Sequence, residues 1–252
     1  MKEGEIMQKK NQIEFKVSGK YALFTDPFAV SGGEKTSYMI PTYEALKGIC
    51  KSIYFKPTFT WVIDDVRVVN TFQTFTKGIR PIVMNGGNTL ACYTYLYDVE
   101  YEVRAHFEWN LHHDELKDDR NENKHYFIAK RLLKKGGRRD VFLGTRECQA
   151  DVEPCVFGEK KGAFDDVEEK RFGNMFHGFI YPDEYVRDDE KGKLVATLWT
   201  PVMKHGVIHF IRPEECPWHR VVGSGDIKRF NADNFTTVNE LEKEGGILEL
   251  DK

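Results

Sequence analysis

The sequence predicts an α+β fold in which two helices flank an antiparallel sheet and a smaller antiparallel sheet follows. Three observations lead there. Residues 99–109 alternate almost without fault: Val99, Tyr101, Val103, Ala105, Phe107 and Trp109 face one way, with Glu100, Glu102, Arg104, His106 and Glu108 opposite. That period of two marks a half-buried strand. Two other stretches, 42–55 and 121–137, space their apolar residues three and four apart, as helices laid on a sheet do. β-Branched and aromatic runs alternate with both.

The elements follow in order. Residues 12–18, QIEFKVS, alternate and form the first strand, and a flexible Gly-Gly-Glu-Lys turn lies at 32–35. Pro41 and Thr42 open the first helix, whose buried stripe is Ala45, Leu46, Ile49, Cys50 and Ile53, and Pro57 ends it. Residues 58–69, TFTWVIDDVRVV, make the second strand. Residues 70–90 read as an irregular connection, and one this long inside a compact unit is usually functional. After the 99–109 strand comes the second helix, with Asn121 or Asn123 as its cap and Gly136-Gly137 as its stop. Residues 140–143, continuing toward Cys155, read as the fourth strand.

That order, βαββαβ, is the ferredoxin-like or RRM-like arrangement, expected over residues 1–157. Right-handed crossovers put both helices on one face of the sheet. The helices then run antiparallel, so Tyr54 at the end of the first should stand near Lys124 and His125 at the start of the second. Residues 158–171 are charged and glycine-containing and read as a linker. Over 172–252 a small antiparallel sheet is expected from strands at 175–181, 194–203 and 207–211, with a hairpin at Lys204-His205-Gly206. Residues from 213 are turn-rich, and 244–252 read as a loose tail.

The 252 residues are 40% hydrophobic and 31% charged, which places the chain among globular proteins large enough to bury a core. MKEGEIMQKK has no apolar core of a secretory signal, and no apolar run approaches the roughly 18 residues of a membrane span. Five cysteines form no CxxC pair, which suits reduced thiols in the cytoplasm. A net charge of −3 argues against a nucleic-acid binder over its whole surface. Locally, however, Lys124, Lys130, Arg131, Lys134, Lys135, Arg138 and Arg139 form a basic run suited to one polyanion. A solvated helix face is the alternative meaning of such a run.

Lys124 and His125 break a local preference, because cations in a first turn oppose the helix dipole. Free N–H groups with an ammonium and an imidazole make a natural phosphate site. Alternatively, His125 simply heads the apolar stripe. Tyr54, Lys124 and His125 together suit RNA cleavage without a metal, in which the ribose 2′-OH attacks the adjacent phosphorus. An imidazole serves as base or acid, an ammonium neutralises the phosphorane, and a phenol orients the 2′-OH or donates a proton. Tyr43 and Lys47 share the helical line of Tyr54, and spacing does not exclude them. His112-His113-Asp114 lacks the spacing of a metal site, and no Walker loop, GxGxxG, GxSxG or HExxH is present. No cofactor or metal is expected.

Beyond these readings, the sequence resembles the CRISPR-associated RAMP family in its type I-C (Dvulg) subtype. The stretches that carry the likeness include KYALFTDP (20–27), PTYEALKGI (41–49), SIYFKP (52–57), KGIRPI (77–82), NENKHY (121–126), KGGRRDVFLGTRECQADVEPC (135–155) and HGFIYPDE (177–184). The resemblance implies an endoribonuclease that cuts precursor CRISPR RNA at its repeat hairpin. It also implies that the protein stays on the 5′ handle of the mature guide RNA, beside the backbone and large subunits of an antiviral surveillance complex. The family's catalytic tyrosine and its Lys-His pair match Tyr54, Lys124 and His125, while Phe55 stands where the family more often has tryptophan. Lys77 and Arg80, with Lys130, Lys134, Arg138 and Arg139, are the residues expected to grip RNA. A non-catalytic handle-binding subunit is the alternative, and DNA binding is a possible side activity.

Overall fold

The computed structural model of the protein describes residues 11–27, 30 and 33–230. Its main sheet is built on three long strands, β1 (Gln12–Ala22), β3 (Phe59–Val68) and β5 (Ala91–Trp109). A two-residue strand, β2 (Lys35–Thr36), pairs parallel to β5, and β4 (Thr74–Ile79) pairs antiparallel to it. After helix α2 (Glu122–Leu133) come β6 (Val141–Phe142) and β7 (Gln149–Pro154), of which β7 lies antiparallel beside β1. The neighbours therefore run β7-β1-β5-β3, and helix α1 (Tyr43–Ile53) connects β2 to β3.

The helices cover one face. Helix α1 packs on β3 and touches α2, which lies over β1 and β7. Ile13, Phe15 and Val17 of β1 and Tyr101, Val103, Ala105 and Phe107 of β5 are buried there with Leu46, Ile49, Ile53, Ala129 and Leu133. The Thr42 hydroxyl caps α1 by accepting the Ala45 N–H at 3.1 Å, and the Asn121 side chain caps α2 by accepting that of Lys124 at 3.0 Å.

Several expectations need correction. Residues 70–90 are not irregular throughout, because β4 forms a hairpin with the first half of β5. The side chains of β4 are almost all exposed, so it carries no apolar alternation to read. Strand β5 begins well before residue 99 and runs unbroken from Ala91 to Trp109, with Asp98 at φ 51 within it. Residues 140–155 fold as the β6–β7 hairpin rather than as one strand. The opposite face of β5 is also covered: Glu102 and His106 are buried, each within an ionic network.

The region after residue 158 divides between two sheets. Strands β9 (Met175–Ile180) and β10 (Lys193–Trp199) pair as foreseen, and their third partner is β13 (Trp218–Ser224), in a stretch read as turns. The hairpin of β11 (Val202–Lys204) and β12 (Val207–His209) instead joins the free edge of β3, and β8 (Lys170–Arg171) pairs with β11. Met203 and Ile208 are fully buried on that edge, which explains the choice. Nor is 158–171 a free linker, since Asp165 pairs with Arg67 and the Ala163 N–H donates to the Val69 carbonyl at 2.8 Å. The tail at 244–252 lies outside the described residues. Among those described, no helix is long and apolar enough to cross a membrane.

Candidate active site

Tyr54 stands where α1 stops. Its backbone turns extended at φ −155, its N–H closes the last turn on the Cys50 carbonyl, and its own carbonyl accepts the Trp61 indole N–H at 2.7 Å. The chain is thus fixed on both sides of the ring. His125 sits in the first turn of α2, enclosed by Phe59, Phe107 and Trp109 with ring centroids 5.3–6.3 Å away. The two side chains meet: the Tyr54 hydroxyl lies 2.8 Å from His125 Nδ1.

The tautomer follows from the other nitrogen. His125 Nε2 lies 2.7 Å from the Asp119 carbonyl oxygen, which can only accept. Neutral His125 therefore carries its proton on Nε2, and Nδ1 accepts from the Tyr54 O–H. Burial, reinforced by the Asp119 charge and opposed by Arg138, pushes the Tyr54 phenol up to about 12. At neutral pH it is a proton donor.

Lys124 lies one residue before His125, its side chain 47% exposed and its ammonium paired with Asp119. The Asp119 carboxylate also accepts the Thr58 hydroxyl at 2.8 Å and lies 3.5 Å from His125 Nε2. Burial would raise its pKa, but the hydrogen bonds from Lys124 and Thr58 outweigh this and hold it below the usual range. Sequence reasoning missed both Asp119 and Thr58. No motif or spacing marks either, although Asp119 lies two residues before the Asn121 cap.

The remaining candidates are more scattered. Arg138 and Arg139 are held beside the end of α1 by N–H bonds to the Ser52 carbonyl at 3.0 and 3.1 Å. Lys130 and Lys134 line a cavity of about 470 Å³ on the flank of α2. Lys77 and Arg80 belong to a different element, the β4–β5 hairpin, where Lys77 lines a cavity of about 310 Å³ with Tyr21, Phe75 and Tyr95. Tyr43 and Lys47 lie elsewhere, buried against β9 and its following turn, with Tyr43 stacked on His177 at 4.5 Å and Lys47 paired with Glu184 at 2.5 Å. His113 is tied to Glu115 and Asp183, and among the described residues no three His, Cys, Asp or Glu side chains group as metal ligands.

Over 154 residues the chain is 29% identical to a CRISPR pre-crRNA endoribonuclease Cas5d of Thermus thermophilus, covering 57% of this chain and 64%, under two thirds, of that protein. A second pre-crRNA endoribonuclease Cas5d, from Mannheimia succiniciproducens, is 27% identical over 164 residues, 56% of this chain and 71% of its own length. A solved structure described as a CRISPR-associated protein superposes with a TM-score of 0.70 at 37% identity, covering 83% of this chain and 96% of that one. The model of the family described as CRISPR-associated protein (Cas_Cas5) matches residues 12–211, and the chain belongs to this Cas5d family.

Proposed function

We propose that this chain is a cytoplasmic, metal-independent endoribonuclease that cuts precursor CRISPR RNA at the repeat hairpin and then remains on the 5′ handle of the mature guide within the surveillance complex. The names of its relatives support the substrate class. The strand order β7-β1-β5-β3 with both helices on one face supports a ferredoxin-like scaffold for it. One observation carries the chemistry: the Tyr54–His125 hydrogen bond of 2.8 Å, with the ammonium of Lys124 on the same helical turn.

The steps follow from that geometry. A ribose 2′-OH resting on the Tyr54 oxygen passes its proton there as Tyr54 passes its own to His125 Nδ1. The 2′-oxygen attacks phosphorus and the bond to the 5′-oxygen breaks. The departing oxygen takes a proton from the Tyr54 hydroxyl as His125 Nδ1 returns its own to Tyr54, leaving a 2′,3′-cyclic phosphate, a 5′-hydroxyl and the pair in its starting protonation. Lys124, exchanging Asp119 for a phosphate oxygen, neutralises the phosphorane. Asp119, 3.5 Å from Nε2, stabilises the imidazolium that forms. Lys77, Arg80, Lys130, Lys134, Arg138 and Arg139 neutralise flanking phosphates, and their removal should flatten the salt dependence of binding.

A second reading, a subunit that binds the handle without cutting it, is favoured by burial: His125 is fully covered and Tyr54 is 4% exposed. The two separate in one experiment, in which purified protein is incubated with repeat-hairpin RNA in EDTA. The catalytic reading expects a cyclic-phosphate product, no cutting of RNA with a 2′-deoxy at the scissile nucleotide, and a loss of about 10²–10⁴-fold in rate for His125→Ala with binding retained. Tight binding without cleavage by the wild type would establish the second reading instead.

A further inference from the structure

The cavity of about 470 Å³ beside α2 falls within the roughly 300–1,000 Å³ of small-ligand sites, and Gln12, Glu14, Arg104, Tyr126, Lys130 and Lys134 line it. Its acidic member is already spent. Glu14 accepts from Arg104 Nε at 3.0 Å and from the Phe157 N–H at 3.1 Å, while Arg104 also reaches Asp65 at 3.0 Å. Lys130 and Lys134 make no ion pair among the described residues, and the Lys130 ammonium rests 5.2 Å from the centre of the Tyr126 ring. The mouth therefore carries uncompensated positive charge beside an aromatic wall.

Next to it lies an apolar ring with no place in the core. Phe127 is 64% exposed on a helix face otherwise made of Lys124, Lys130 and Arg131, and its centroid is 5.4 Å from that of Tyr126. Two rings among free ammonium groups match a ligand that is both flat and anionic. Unpaired nucleotides have this character, and proteins hold them by stacking their bases on aromatic side chains. Resting on the assignment of RNA as the ligand, we propose that this cavity receives one unpaired nucleotide of the bound RNA. Its base lies on Tyr126, its flanking phosphates meet Lys130 and Lys134, and the neighbouring base lies on Phe127. The Gln12 amide, with one acceptor and two donors, is placed to read the base edge.

The test uses the full chain and repeat-hairpin RNA carrying 4-thiouridine at each unpaired position in turn, irradiated and mapped by mass spectrometry. One position should yield an adduct on the peptide containing Tyr126 and Phe127. Tyr126→Ala should lose that adduct and bind about tenfold more weakly, as expected for one lost base stack, while Tyr126→Phe keeps both. Adducts found only elsewhere on a wild type that binds RNA would overturn the pocket and leave the RNA assignment standing, whatever the folding of the alanine variant. A wild type that binds no RNA would end both.

Discussion

His177 shows how one side chain can set a pH limit. It is fully buried, stacked on Tyr43, edge-on to Trp199 at 5.2 Å, and donates from Nε2 to the Ile211 carbonyl at 3.0 Å. Burial, with Lys47 nearby, drives its pKa down to about 3. The folded ring thus stays neutral while the unfolded ring protonates below about 6.5, so this contribution to stability is complete above that pH and is lost as pH falls toward 3. Denaturant unfolding at pH 7 and pH 4.5 should show about 2–3 kcal/mol more loss in the wild type than in His177→Gln. In the sequence only His125 is marked, by following Lys124 in the first turn of a helix, while His177 sits in an apolar run. Both rings are enclosed by aromatic side chains and rest Nε2 on a backbone carbonyl, and the difference lies at Nδ1, 2.8 Å from the Tyr54 hydroxyl in His125 and 3.5 Å from the Thr197 hydroxyl in His177.

At the scale of elements, two apolar stripes laid on one sheet made both helices legible, and Tyr54 at the end of α1 lies against His125 in the first turn of α2 as the reading expected. Of the two caps the sequence offered, Asn121 and Asn123, the structure uses Asn121, and it does more than start a helix. Its side chain holds the Lys124 N–H and its carbonyl accepts that of His125 at 3.1 Å, so the cap aims both residues. Asn121→Ala should cost about 1 kcal/mol in thermal or denaturant unfolding, and Asn121→Ser should recover most of it. Elements without an apolar alternation were illegible. Strand β4 is nearly all exposed, and β13 leaves Trp218, Val221 and Val222 in solvent at an edge, so neither shows the contrast between faces by which strands are read. Asp119 was missed for a related reason: it acts across space, on Tyr54 just past α1, Thr58 just before β3, and Lys124 and His125 of α2, which only the fold assembles.

For the molecule as a whole, the unexpected feature is the polar side of the main sheet. Arg67 on β3 donates to Glu102 on β5 at 3.0 Å and to Asp165 at 2.7 Å, and Glu102 also accepts the Gly158 N–H at 2.8 Å. A strand-by-strand reading left Glu102 facing water, because alternation tells which residues share a face but not what later covers it. Arg67→Met should destabilise the protein by about 3–5 kcal/mol in urea unfolding, since it strands a buried carboxylate, and adding Glu102→Gln should return part of that loss. The same staple, with the β11–β12 hairpin seated against Asp65–Arg67, means that the half bearing Tyr54 and His125 does not end where its own strands end. Severed after residue 157, it would present β3 with unpaired backbone along Asp65–Arg67 and an arginine short of one partner, a surface open to pairing with other chains. The Arg67 staple and the β11–β12 hairpin therefore tie the residues after 157 to the sheet that carries Tyr54 and His125.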